Sequence, residues 1–188
     1  LIFLFSPLIS VTQNWSNSSN FIGDGRHHPI TFSNDNYGFV VSGSYLTDMF
    51  KYDKLNDSWT QLQDFPSFGR GYAYAVSVGD KAYVGFGSTD NGLFPTDWWE
   101  YDMLNDLWTQ KSSFIGDGRN HPAMILVNNK IYVGCGSNNN GNLDDWWEYD
   151  INLDTWTVKN NFIGNNRHHP YYFGLGDYTV INELRVVW

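Results

Sequence analysis

Tryptophan recurs at Trp15, Trp59, Trp108 and Trp156, at spacings of 44, 49 and 48 residues. Arginine keeps the same spacings at Arg26, Arg70, Arg119 and Arg167. Tyr-Asp pairs fall at Tyr52–Asp53, Tyr101–Asp102 and Tyr149–Asp150, and a glycine closes a short apolar run at Gly43, Gly87 and Gly136. Four residue types sharing one period exclude chance, and a period of this length restricts the chain to a few tandem architectures. The phrase DDWWEYDINLDTWT (144–157) is the third copy of TDWWEYDMLNDLWT (96–109) and TDMFKYDKLNDSWT (47–60).

Within a unit the apolar pattern has period two. In the third unit, HPAMILV (121–127) reads as a strand, NNK (128–130) as a turn and IYVGCG (131–136) as a second strand. A polar loop, SNNNGNLDD (137–145), leads to a third strand at 146–151 and a fourth at 155–160. No stretch has helical periodicity. Four antiparallel strands per unit, repeated in tandem, define an all-β chain of propeller blades. The aromatic content, 18% of residues, then has a cause, because stacked blades bury both faces of each sheet. Alternation sends Trp147 and Tyr149 to one face and Trp146 and Glu148 to the other. The tryptophans Trp59, Trp108 and Trp156 are expected to be buried against an adjacent blade.

The order arginine, apolar strand, glycine, Tyr-Asp, Trp-Thr resembles the kelch repeat over about residues 14–176. One departure is systematic: the first of the usual two glycines is replaced by Ser42, Phe86 or Cys135. The wording is similar to exported bacterial kelch proteins of the galactose-oxidase-like type. The resemblance implies a kelch-type β-propeller fragment of about three and a half four-stranded blades. The expected organisation is a clipped signal peptide at 1–12, the outer strand of a closing blade at 13–25, and blades at 26–69, 70–118, 119–166 and, in part, 167–188. LIFLFSPLISV has the length of a signal-peptide apolar region and ends near the small residues Ser10 and Thr12. A secreted, periplasmic or cell-surface location follows, with missing blades or a second chain completing the ring.

With a net charge of −9 and 11 Lys plus Arg, the chain has no basic stripe for nucleic acid. The apolar run at the N-terminus is too short to span a bilayer. The one cysteine, Cys135, reads as a small hydrophobe in mid-strand.

Candidate binding residues fall on one rim. His28, His121 and His169 stand two residues after arginines, while the second unit has Tyr72 in their place. A metal reading is disfavoured, because propeller symmetry is expected to spread equivalent residues across a channel too wide for bonds of about 2.0–2.1 Å. No metal or other cofactor is expected. Arg26, Arg70, Arg119 and Arg167 could clamp carboxylates of a ligand, but an arginine in every unit fits better with pairing to an aspartate such as Asp24 or Asp117. The loops 44–47, 88–96 and 137–145 vary most, and variable loops on a rigid scaffold carry specificity. Asn91, Asn139 and Asp144 are their candidate contacts.

No nucleophile elbow, zinc-protease, phosphate-loop or dinucleotide motif occurs, and the copper ligands and crosslink of galactose oxidase do not map onto this sequence residue by residue, so that activity is not carried over. The expected function is therefore recognition of a protein or glycan through the rim. A sugar-acting enzyme, resembling sialic-acid mutarotase or galactose-oxidase propellers, and a structural part of a larger surface protein are the alternatives.

Overall fold

The computed structural model describes residues 16–170. The expected signal peptide, Trp15 and the chain beyond Pro170 lie outside these residues. The described chain is all-β. The first sheet comprises β1 (Ile30–Ser33), β2 (Tyr37–Val41), β3 (Met49–Asp53) and β4 (Ser58–Gln61). The second comprises β5 (Tyr74–Val78), β6 (Lys81–Gly85), β7 (Trp98–Asp102) and β8 (Leu107–Lys111). The third comprises β9 (Ala123–Val127), β10 (Lys130–Gly134), β13 (Trp146–Asp150) and β14 (Thr155–Lys159). Each sheet is an antiparallel meander whose spatial order follows the chain. The innermost strands β1, β5 and β9 pack side by side.

Three local features differ from the sequence reading. The loop 137–145 carries a small hairpin, β11 (Ser137–Asn138) with β12 (Gly141–Asn142). The inner strand of the third sheet starts at Ala123 rather than His121, because His121 has a left-handed backbone (φ 50°) that cannot continue a strand. Residues 16–25 form no strand. They occupy the place of the linkers between sheets, with Phe21 edge-on to Phe50 and Trp59.

The apolar core lies between sheets. One cluster joins Ile30, Phe32, Phe39 and Val41 of the first sheet to Ala82, Val84 and Tyr101 of the second. The other joins Tyr83, Phe86 and Trp98 of the second to Met124, Ile131, Val133 and Tyr149 of the third. Strand alternation decides which side chain serves which interface. In β7, Trp99 and Tyr101 face backwards, whereas Trp98, fully buried, faces forwards onto Tyr149 and Trp156. Glu100 bonds Lys81 and Tyr83, and Glu148 bonds Lys130 and Tyr132, which balances the carboxylates of the repeated phrase.

The Tyr-Asp pairs build the turn that follows. Each aspartate accepts backbone N–H bonds two and three residues on: Asp102 from Leu104 and Asn105, Asp150 from Asn152 and Leu153. Each tyrosine hydroxyl donates to the aspartate that ends the turn, at 2.7 Å for Tyr52–Asp57, 2.8 Å for Tyr101–Asp106 and 2.6 Å for Tyr149–Asp154. Those three aspartates are left-handed, a conformation that aspartate tolerates better than most residues.

The repeated glycines mark the joint between sheets. The N–H of Gly43 donates to the Arg70 carbonyl, that of Gly87 to Arg119 and that of Gly136 to Arg167, at 2.8–3.0 Å. Gly87 has φ 83°, and a Cβ there would meet the Gly71 oxygen at 2.4 Å, so only glycine fits. The residues replacing the first glycine, Ser42, Phe86 and Cys135, are also left-handed (φ 55–66°). The backbone has therefore kept the double-glycine geometry after losing one glycine.

Each outer-strand tryptophan lies toward the preceding linker. The Trp156 indole donates to the Ser112 carbonyl at 2.9 Å and packs on Phe114 and Trp98. Trp108 packs on Phe65, and Trp59 on Phe21. Trp156 is buried, whereas Trp59 and Trp108 are half-buried. Trp156→Ala is expected to cost about 3–5 kcal/mol, as for buried aromatic truncations, and Trp59→Ala distinctly less; thermal denaturation of the two variants measures the difference.

Candidate functional site at the inner rim

Three of the four repeat arginines, Arg26, Arg70 and Arg119, are each locked in a built pocket. Arg119 donates to both oxygens of Asp145 at 2.5 and 2.7 Å, to the Cys135 carbonyl at 3.0 Å and, through Nε, to the Asp117 carbonyl at 3.0 Å. Arg26 repeats the pattern with Asp48, Ser42 and Asp24. Arg70 bonds Asp97, Ser67 and the Phe86 and Phe68 carbonyls. Each guanidinium lies over a linker ring, 4.9 Å from Phe65 for Arg70 and 5.1 Å from Phe114 for Arg119. Arg70 and Arg119 are fully buried. Aspartate pairing is therefore the arrangement found, but the carboxylates are Asp48, Asp97 and Asp145, just before the third strand of each sheet. Asp24 and Asp117 supply only backbone carbonyls. Arg167 stacks on Phe162 at 4.5 Å and bonds the Asn165 carbonyl.

The turns after these arginines meet at one end of the inner strands. His28, Tyr72, His121 and His169 occupy equivalent places, all left-handed at φ 49°, 62°, 50° and 51°. Their rings make a continuous cluster, with centroids 4.3 Å apart for His28–Tyr72, 4.9 Å for Tyr72–His121 and 3.3 Å for His121–His169. One ring nitrogen from each of the three histidines lies within 4.8 Å of the others. That is far closer than symmetry had suggested, because the blades' inner ends converge and the left-handed turn aims each ring inward. Beneath Tyr72 and His28 opens a cavity of about 290 Å³ lined also by Thr31 and Tyr74.

The variable loops share this rim. Gly71 bridges to Ser88, and Asn120 to Ser137. Tyr45, from the shortest loop, is 37% exposed, lies against Gly71 and hydrogen-bonds Tyr72. Asn91 accepts a bond from Thr89 at the tip of its exposed turn, and Asn139 stands exposed in the β11–β12 hairpin. Asp144 is tied down instead, bonded by the Asn161 amide, with its carbonyl accepting from Phe162. Sequence reasoning missed Tyr45 and Tyr74, neither of which repeats across the units. It also missed Asp48, Asp97 and Asp145, although these do recur ahead of the third strand.

Burial pushes His121 down, with His169, His28 and His168 adding repulsion, to a pKa of about 4. Burial also pushes Asp145 up, but the bonds from Arg119 and Trp147 outweigh it and hold the carboxyl below its usual range. Asp97 behaves likewise beside Arg70, Ser67 and Trp99. Cys135 is buried and its thiol raised by that burial, as for an inert core residue.

Both effects remove stability in acid. For His121 the unfolded chain takes up a proton near pH 6.5 that the fold refuses until about pH 4, so stability falls across that window as pH drops. The aspartate contributions are complete above the ordinary carboxylate range, about pH 3.9, and are lost as pH falls below it toward their depressed folded values. Melting temperature followed from pH 7 to pH 3 should decline in two stages, with the upper stage smaller in His121→Gln and its remainder owed to His169, whose pKa burial also lowers. Asp145→Asn leaves Arg119 buried and uncompensated, and is expected to cost about 3–5 kcal/mol at pH 7 in urea unfolding.

No family model matches this chain, and no curated protein does. Among solved structures it is similar to that of YjhT, with a TM-score of 0.67 and 18% identity, over 76% of this chain and 54% of that one. The chain thus spans about half the length of YjhT, and at this identity the likeness concerns the fold alone. Both the sheet order and this comparison give one architecture: successive four-stranded antiparallel blades of a β-propeller.

Proposed function

We propose that this chain is part of an exported kelch-type propeller that recognises a glycan on its inner rim. One observation carries the reading: rings with polar tips surround the cavity of about 290 Å³ at the mouth. Tyr45, Tyr72 and Tyr74 offer flat faces for sugar rings and hydroxyls for bonding. Asn91 and Asn139 are exposed on variable loops whose chemistry suits hydroxyl-rich ligands. Arg26, Arg70 and Arg119 are taken up by the joints, so their charges do not select the ligand. Tyr45→Ala and Asn139→Ala alter exposed side chains only. In glycan-array binding each is expected to weaken capture about tenfold, near 1.4 kcal/mol, with melting temperature unchanged. Undiminished binding in both variants overturns the reading, and capture of a protein instead of any glycan transfers the rim to a protein ligand.

A second reading, an enzyme acting on a sugar, is favoured by His121. Its imidazole is neutral at pH 7 because its pKa lies near 4, and it sits beside the cavity, where it could accept a proton. Turnover of free sugars that His121→Gln abolishes without unfolding the chain would establish this; a pure binder has no turnover to lose.

A further inference from the structure

We propose that His28, His121 and His169 form a site for a divalent first-row transition ion, zinc in particular, with three imidazole donors and one open position. The donor nitrogens lie within 4.8 Å of one another. A tetrahedral ion with bonds of about 2.0–2.1 Å holds its nitrogens about 3.4 Å apart, so capture asks for side-chain shifts of about 1 Å. Rotation about the side-chain bonds of His28, which is exposed, supplies movement of that size.

The backbone around the donors is fixed. Each of the three is left-handed, and each is followed by a proline, Pro29, Pro122 or Pro170, whose ring locks the next φ. The fourth equivalent position, Tyr72, shares the left-handed backbone but carries a phenol and is followed by Ala73 instead of proline. His-Pro pairs therefore stand at the three repeat positions whose nitrogens converge, and not at the one that carries a phenol. Sparsely populated backbone held at several equivalent places is characteristic of functional clusters.

The remaining ring nitrogens are partly engaged. Nδ1 of His121 faces the Tyr74 hydroxyl at 3.4 Å, and Nδ1 of His28 faces His27 Nδ1 at 3.1 Å. This leaves Nε2 of His28 and His121 for the ion, the usual arrangement in which a second contact fixes a metal-binding imidazole. An all-imidazole set selects zinc, nickel or copper over calcium or magnesium, which require oxygen donors. The inference goes beyond glycan recognition and is tested with no glycan present.

Titration of the full 188-residue chain, stripped with chelator, with zinc chloride in a calorimeter should give one site per chain. His28→Ala and His169→Ala, neither of which opens the core, should each weaken zinc binding about tenfold or more. His168→Ala removes a neighbouring histidine whose Nδ1 faces Asn142, and should leave the affinity within about twofold of the parent. Cobalt(II) in place of zinc should give the strong visible bands of a tetrahedral site, absent in His28→Ala. Unchanged affinity in both His28→Ala and His169→Ala overturns the site. Equal losses in all three variants, with more than one ion bound, also overturn it, since that is the behaviour of a diffuse histidine surface.

Discussion

The buried pair between an arginine and an aspartate is the contact on which each blade's geometry hangs. In the third unit Arg119 reaches the chain ahead of β13 through Asp145, the end of β10 through the Cys135 carbonyl, and its own turn through Asp117. It also lies over Phe114, from the linker that enters the blade. One side chain thus ties its own linker, residues 114–119, to two segments that are distant in sequence. A guanidinium suits this task because its planar fork donates in several directions at once while its face rests on an aromatic ring. Burying such a charge is costly unless it is fully bonded, and the repeat satisfies that condition by supplying the aspartate, the carbonyl and the ring together.

From this joint the rest of the unit follows. The carbonyls of Arg70, Arg119 and Arg167 accept the glycine N–H of the preceding blade, so the residue that organises one blade also couples it to its neighbour. Aromatic side chains fill the wedge on either side, Tyr101 and Trp99 backwards and Trp98 forwards. Stability in such an array is approximately a sum over units and their interfaces.

Much of this was legible in the sequence. Period-two alternation placed the three sheets and assigned Trp147 and Tyr149 to one face, because strand geometry permits no other arrangement of those residues. The glycine, tyrosine and arginine positions were found by spacing alone. What escaped were contacts that close in three dimensions. The carboxylates of Asp145 and Asp117 are equally acidic in sequence, and only the fold shows which one reaches Arg119. The convergence of His28, His121 and His169 depended on a left-handed backbone angle, to which strand periodicity is blind. The β11–β12 hairpin eluded notice because Asn- and Gly-rich segments read as loops whether or not they pair. The rim residue Tyr45 belongs to no repeat and left no trace in the spacing.

The loop between the second and third strands is held at both ends by successive arginines. In the first blade, Gly43 donates to the Arg70 carbonyl and Asp48 pairs with Arg26. All of the variation among the spacings of 44, 49 and 48 falls between that glycine and that aspartate, while the remainder of the unit keeps a constant length. Lengthening a flexible loop from four residues to nine costs only about 0.7 kcal/mol in closure entropy. The blade therefore behaves as a socket with fixed terminals, into which inserts of different length and chemistry can be exchanged without retuning the sheet beneath. Diversification of such a surface would proceed blade by blade, each insert evolving on its own while the scaffold stays the same.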